Sequence, residues 1–156
     1  MQRNGFDPSF GIENHLAAKA RNDGKEILGL ESMRQQLEIL DNLPLPAQRA
    51  LLLQSLEKSE MLGRIMDELI RAWRYGDTGY LEATLLPEIK LNPDLYDALV
   101  VRRNAAWLPQ IEKLLAESSD YLVVVGALHL IGPDGIPEML RSRGKTPVQL
   151  RQLPAQ

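Results

Sequence analysis

The segment DYLVVVGALHLIGPDG, residues 120–135, decides the predicted fold and holds the first candidate for chemistry. Its apolar run from Leu122 to Val125 is rich in β-branched residues and ends at Gly126, a pattern typical of a short buried strand. His129 follows three residues after that glycine, before a Gly-Pro turn. A histidine at the carboxyl end of a strand lies where open α/β sheets bind ligands. Imidazole is also well suited to proton transfer or metal ligation near neutral pH.

The rest of the chain alternates between helical patterns and short apolar runs. Strands are predicted over 25–31, 120–126 and 148–153, and helices over 12–23, 32–40, 47–75, 93–117 and 135–143. This order predicts an α/β fold, with α+β as the alternative, built on a small, mixed, partly parallel sheet of about three strands. Residues 1–156 are expected to form a single domain. Because so thin a sheet serves several long helices, the chain is expected to be half of a larger domain.

The composition excludes several classes of function. The net charge is −3 and no basic cluster occurs, so no partnership with nucleic acid is expected. Cysteine is absent, which excludes disulfides, thiolate metal sites and a cysteine nucleophile. No apolar run is long enough to be a transmembrane segment, and the first residues lack the apolar core of a signal peptide. The sequence does not decide the compartment. It is the periplasm or the cell surface if a longer precursor carries a signal, and otherwise the cytoplasm.

The second candidate site lies on the predicted helix 93–117. Arg103 falls in the middle of the apolar stripe of this helix, and Asn104 falls on its border. A guanidinium that faces a core is costly unless it is paired. Two interpretations therefore stay open for Arg103, a buried bridge to a glutamate or a site for a bound anion.

Glu31 is the third candidate, since it ends the predicted strand 25–31 as His129 follows the strand 120–126. A partly buried glutamate at that edge of the sheet can act as a general base, ligate a metal or pair with Arg103. The spacing does not separate these roles. Asp134 is predicted to cap the helix 135–143 rather than to act as a catalytic acid. No complete zinc site is evident, because catalytic zinc takes three protein ligands.

Several short motifs together resemble those of a known family. In chain order they are GIENHL at 11–16, GLES at 29–32, Ala-Trp at 72–73, RRN at 102–104 and VVGALHL at 124–130. Their order and spacing resemble the TraB/PrgY/GumN family, whose relatives include the Tiki membrane metalloproteases. The resemblance covers nearly the whole chain.

The resemblance implies an active site with two Gly-x-x-His motifs, a glutamate and an Arg-Asn pair. Gly126 to His129 is similar to the second Gly-x-x-His, Arg103-Asn104 to the Arg-Asn pair, and Glu31 falls in the Leu-Glu block. The activity implied by the Tiki relatives is divalent-metal-dependent hydrolysis of peptide bonds. The candidate catalytic residues are therefore Glu31, Arg103, Asn104 and His129. His129 and Glu31 are the candidate ligands of a zinc, manganese or cobalt ion.

The chain departs from the family in length. Family members carry a first Gly-x-x-His in an N-terminal half that has no counterpart here, so the chain resembles the C-terminal half only. It is expected to be inactive alone or to complete its sheet as a homo-oligomer. The predicted function is a metal-dependent, peptidase-like hydrolase acting on a peptide or small-molecule substrate. The alternatives are a non-catalytic module that binds a peptide or a cofactor, and a scaffold in which Arg103 and Glu31 form a buried bridge.

Overall fold

The computed structural model describes residues 7–57 and 59–150, with only the helical backbone for residues 8, 54, 56, 57 and 59–64. The described residues divide after Ser32 into two compact units. The first unit contains a 3-10 turn, Pro8–Phe10, and the helix α1, Ile12–Asn22, followed by irregular chain. The helix predicted over 12–23 is therefore confirmed within one residue.

The second unit is built from helices. In chain order they are α2 (Met33–Asp41), α3 (Leu45–Glu57), α4 (Ser59–Tyr75), α5 (Thr78–Lys90), α6 (Pro93–Tyr96), a π-helical turn (Asp97–Val101), α7 (Arg102–Leu115), a 3-10 turn (Ala127–His129) and α8 (Ile136–Ser142). The helix predicted over 47–75 corresponds to α3 and α4, between which Lys58 lies outside the described residues. Among the described helices, none combines the length and the apolar character needed to cross a membrane.

The prediction of an α/β fold is wrong, and so is the α+β alternative. Throughout residues 7–57 and 59–150 every regular element is helical, and no residue there belongs to a β-strand. The predicted strands 25–31 and 120–126 are irregular chain, as are residues 148–150 of the third. The remainder of that third strand, 151–153, lies outside the described residues.

The apolar run Leu122 to Val125 shows why the strand prediction is wrong. Leu122 is 76% exposed and Val124 is 43% exposed, so the run lies on the surface rather than in a core. A strand is stabilised by hydrogen bonds to a neighbouring strand and by cross-strand side-chain contacts. Composition alone supplies neither. The β-propensity of the valines is therefore overridden by their surroundings.

Two clusters of buried side chains hold the second unit together. The first cluster joins α4, α5, the helix 93–115 and the chain before α8, through Ala72, Leu81, Leu86, Tyr96, Val100 and Ile131. The second cluster joins the start of α3 to the same helix, through Leu43, Ala47, Leu95 and Ala98. Full burial of a large apolar side chain contributes about 1.5–3 kcal/mol. The helix 93–115 contributes to both clusters and is the central element of this unit.

This central helix runs from Pro93 to Leu115 as α6, the π turn and α7, close to the predicted 93–117. Asn92 caps it, because its Oδ1 accepts a hydrogen bond from the Leu95 backbone nitrogen at 3.2 Å. The Asn92 Nδ2 donates to the Ala47 carbonyl at 3.2 Å. The cap therefore also ties the start of this helix to α3.

The π turn Asp97–Val101 explains which side chain reaches the core. A π turn holds one residue more than an α turn, so the residues after it are shifted by one position around the helix. Arg103, expected in the middle of the apolar stripe, is half-buried. Asn104, expected on the border, is 0% exposed. The inserted residue therefore turns the amide of Asn104, rather than the guanidinium of Arg103, fully into the core.

Candidate functional site

His129 is held by a tight turn rather than by the end of a strand. It ends the 3-10 turn Ala127–His129, and its backbone nitrogen donates to the Gly126 carbonyl at 2.9 Å. Its side chain is buried, with 6% of its surface exposed. The turn therefore points the imidazole into the second unit, toward α7.

A pair of short hydrogen bonds fixes which nitrogen of His129 carries the proton. The Asn104 Nδ2 donates to the Asp134 backbone carbonyl at 2.7 Å, and the Asn104 Oδ1 lies 2.7 Å from the His129 Nδ1. Because a carbonyl only accepts, Asn104 must turn its NH₂ toward Asp134 and its oxygen toward the imidazole. The His129 Nδ1 therefore donates. In the neutral ring, Nε2 is then the acceptor.

Arg103 lies on the other side of the imidazole. Its Nη1 donates to the Leu99 carbonyl at 3.2 Å and lies 3.3 Å from the His129 Nε2. A guanidinium only donates, so this contact fits an Nε2 that carries a lone pair. The structure thus brings together three of the residues selected from the sequence, Arg103, Asn104 and His129.

Trp107 closes the cluster from the apolar side. Its ring centroid lies 4.6 Å from that of His129 at an angle of 53°, and the Arg103 Cζ lies 4.7 Å from the Trp107 ring centroid. Trp107 is 4% exposed, and the low polarity it provides strengthens the nearby hydrogen bonds. In the sequence, Trp107 belongs to the apolar stripe of the predicted helix 93–117. Its position one helical turn after Arg103 was the signal for this contact.

Asp134 has a different role from the predicted helix cap. The N-cap of α8 is Gly135, with no side-chain cap, while the Asp134 Oδ2 accepts a hydrogen bond from the Tyr96 hydroxyl at 2.8 Å. Burial, and then this hydrogen bond, raise the pKa of Tyr96 well above its usual value. Neither the sequence pattern nor the spacing indicated this contact, since 38 residues separate its partners.

A glycine fixes the path of the chain between His129 and Asp134. Gly132 has φ +73°, and a Cβ there would lie 2.5 Å from the Leu86 Cδ1. At Gly126 a Cβ would lie 3.8 Å from the His129 Cδ2, which is an ordinary contact. A side chain at Gly132 is therefore disfavoured both by the positive φ and by the contact with Leu86, whereas neither applies at Gly126.

Glu31 belongs to the first unit, where it is half-buried on a bend that precedes Ser32. Its roles as general base and metal ligand stay predictions. In the part of the chain that the structure describes, no group of three or more His, Asp and Glu side chains is placed to hold a metal ion. The cluster around His129 supplies one imidazole where a catalytic zinc takes three protein ligands. These donors alone do not fit a metal, and zinc, manganese or cobalt binding stays a prediction.

Comparison with known proteins gives the family. The sequence profile of the TraB/PrgY/gumN family matches residues 1–149. Two relatives, each called uncharacterized protein YbaP, come from Escherichia coli (strain K12) and Shigella flexneri. Each is 31% identical over 140 residues, which cover 90% of this chain and 51% of the relative. The chain thus spans about half the length of the curated relatives it matches, and no solved structure gave a significant match. The chain belongs to the TraB/PrgY/gumN family.

Proposed function

We propose that this chain carries part of a hydrolase site, in which the His129 Nε2 is the atom that accepts a proton from the attacking water. One observation carries the proposal, the fixed tautomer of His129. The Nδ1 donates to Asn104, whose amide is itself fixed by the Asp134 carbonyl at 2.7 Å. A histidine held in this way keeps the lone pair on Nε2, and a general base needs a nitrogen with a lone pair.

Arg103 supplies the positive charge of the proposed site. Its Nη1 lies 3.3 Å from the His129 Nε2, so an anion bound by the guanidinium lies next to the basic nitrogen. Planar guanidinium groups bind carboxylates through paired hydrogen bonds and stabilise oxyanions that form during acyl transfer. The substrate class that fits best is a peptide or small molecule with a carboxylate close to the bond that is cleaved. Such a carboxylate competes with Nε2 for the Arg103 donor and so releases Nε2 for water.

The proposed reaction needs one proton acceptor and one oxyanion partner. A water molecule gives a proton to the His129 Nε2 while its oxygen bonds to the substrate carbonyl carbon. The carbonyl oxygen becomes an oxyanion next to Arg103. The proton then passes from Nε2 to the leaving amine nitrogen as the C–N bond breaks. Asn104 holds the imidazole in place throughout, because its oxygen stays on Nδ1.

Metal dependence and a role for Glu31 are not part of the proposed reaction, and they are tested separately. The described cluster around His129 offers one imidazole as a metal ligand, so no step above passes through a metal ion. Thermal unfolding of the chain with added zinc, manganese or cobalt tests ligation directly. A rise in Tm that His129→Ala abolishes and His15→Ala retains supports ligation by His129. An unchanged Tm with every metal contradicts it.

Cleavage of short peptides, followed by mass spectrometry, tests the hydrolase proposal. Loss of a general base costs about 10²–10⁴ in rate, so His129→Ala is expected to lower turnover by that factor. His15 is the matched control, because it is the other histidine of the chain and is exposed on α1. Absence of cleavage by the unmodified chain with any peptide or metal contradicts hydrolysis by this chain, and full turnover in His129→Ala contradicts the role of His129.

The second candidate is a non-catalytic module that holds a peptide or cofactor carboxylate. It is favoured by the closure of the cluster, because the imidazole is 6% exposed and its Nε2 contacts Arg103 at 3.3 Å. This function predicts saturable quenching of Trp107 fluorescence without turnover, unchanged by Glu31→Gln. Trp73, which is 51% exposed, contributes a red-shifted fluorescence emission that forms the background of this measurement. Homo-oligomerisation stays a prediction that light scattering of the purified chain can check.

A further inference from the structure

We infer that Tyr96 is a positioning residue for His129, acting through Asp134 and Asn104. The inference rests on the proposed function of His129. Three hydrogen bonds connect the residues in series: the Tyr96 hydroxyl to the Asp134 Oδ2 at 2.8 Å, the Asn104 Nδ2 to the Asp134 carbonyl at 2.7 Å, and the His129 Nδ1 to the Asn104 Oδ1 at 2.7 Å. One residue, Asp134, thus connects the buried phenol of Tyr96 to the Asn104 amide that selects the tautomer.

Asp134 is the element of this series that needs support. It lies in a turn between Gly132 and α8, closed by a hydrogen bond from the Gly135 nitrogen to the Gly132 carbonyl at 3.1 Å, so its carbonyl group is not held within a helix. Tyr96 and Asn104 both lie on the helix 93–115, and together they hold the side chain and the backbone of Asp134. Tyr96 is 8% exposed and packs in the first core cluster, with the Lys90 Nζ 4.8 Å from its ring centroid. The hydroxyl is therefore a fixed point for the carbonyl that Asn104 uses.

Loss of this support has a specific chemical consequence. If the Asp134 carbonyl moves away, the hydrogen bond that holds the Asn104 NH₂ is lost, and the amide can more readily rotate to exchange its oxygen and its NH₂, against the Arg103 Nη1 that still favours a bare Nε2. An NH₂ facing the imidazole makes Nδ1 an acceptor, so a neutral ring must carry its proton on Nε2. The Nε2 then presents a donor to the Nη1 of Arg103. The expected change is a shift in tautomer, and it occurs with or without a substrate.

The experiment compares Tyr96→Phe with Tyr80→Phe. Tyr80 is the matched control, because it packs against the same core cluster and its hydroxyl donates to Glu68 at 2.5 Å, outside the series above. The readout is the ratio of Nδ1–H to Nε2–H at His129, measured from the ¹⁵N chemical shifts of the ring at a fixed neutral pH. We expect this ratio to fall about fivefold in Tyr96→Phe, as for the loss of one ordinary hydrogen bond, and to stay unchanged in Tyr80→Phe. Unchanged ratios in both folded variants overturn the inference.

A second pair of variants applies if Tyr96→Phe does not fold. Asp134→Asn keeps an oxygen that accepts from the Tyr96 hydroxyl, so the wild-type ratio of tautomers is expected. Asp134→Ala removes that acceptor but keeps the backbone carbonyl, so the ratio is expected to fall as in Tyr96→Phe. Equal ratios in Asp134→Ala and the wild type overturn the inference. Since the readout needs no turnover, absence of hydrolysis by the wild type contradicts the proposed function without affecting this result.

Discussion

Replacement of Asn104 by alanine is expected to destabilise the protein more than the same replacement of an exposed amide residue on this helix. Asn104 is 0% exposed and makes two hydrogen bonds of 2.7 Å, one from the His129 Nδ1 and one to the Asp134 carbonyl. Alanine removes both, which leaves the buried His129 Nδ1 donor and the half-buried Asp134 carbonyl without their partner.

The two lost contacts set the expected magnitude. A buried polar group left unsatisfied costs about 1–3 kcal/mol, so Asn104→Ala is expected to lower the free energy of unfolding by about 2–6 kcal/mol. Water that enters the vacated space moves the cost toward the lower limit. Domains of this size have free energies of unfolding of about 5–15 kcal/mol, so even the lower limit is a substantial fraction.

Urea unfolding, followed by circular dichroism and by tryptophan fluorescence, measures this loss. Gln110→Ala is the control, because Gln110 lies exposed on α7 and its Nε2 donates to the Ala106 carbonyl at 3.4 Å. Exposed substitutions of this kind change stability by about 0.5 kcal/mol or less. With an m-value of about 1–3 kcal/mol/M, the midpoint of Asn104→Ala is expected to fall by about 0.7 M or more. A midpoint equal to that of Gln110→Ala would refute the role given to the buried amide.

Two further predictions concern Tyr96 and Gly132. Because burial raises the pKa of Tyr96 above the value of 10.0 of an exposed tyrosine, only the unfolded chain loses the phenolic proton just above pH 10. The free energy of unfolding is therefore expected to fall as the pH rises above 10, and Tyr96→Phe is expected to lessen this fall. Denaturant titrations at pH 9 and pH 11 measure it, and an equal fall in the free energy of unfolding for the wild type and Tyr96→Phe argues against the prediction. Gly132→Ala is expected to cost about 1–3 kcal/mol more than Gly144→Ala, because both have positive φ, +73° and +76°, but only at Gly132 does a Cβ meet a neighbour, the Leu86 Cδ1 at 2.5 Å. Equal midpoints of urea unfolding for these two variants would exclude that clash.

The helix 93–115 was predictable from the sequence because its signals are local. Asn92 followed by Pro93 marks a helix start, and the structure gives the expected hydrogen bond from the Leu95 nitrogen at 3.2 Å. The π turn within this helix had no such signal. Its extra residue exchanged the expected burial of Arg103 and Asn104, an effect that a hydrophobic pattern with a fixed period cannot represent.

The candidate site was predicted in part and for the wrong reason. Arg103 and Asn104 do lie next to His129, but a helix and a 3-10 turn bring them together rather than the edge of a sheet. The strand prediction at 120–126 relied on β-propensity, which is decided by neighbours that the sequence does not identify. The contact between Tyr96 and Asp134 was out of reach for the same reason. Aspartate is common at helix ends and tyrosine is often partly buried in cores, so neither residue type by itself indicates that the two side chains meet.

The tautomer of His129 in the unmodified chain is the most direct test of the central claim, that Asn104 holds the imidazole with its proton on Nδ1. The chain has two histidines, and the exposed His15 serves as the internal reference. A two-dimensional ¹H–¹⁵N spectrum of the side chains at neutral pH is expected to show a protonated Nδ1 and an unprotonated Nε2 for His129. A proton on Nε2 with a bare Nδ1 would contradict the account, because the nitrogen proposed to accept a proton from water would already carry one.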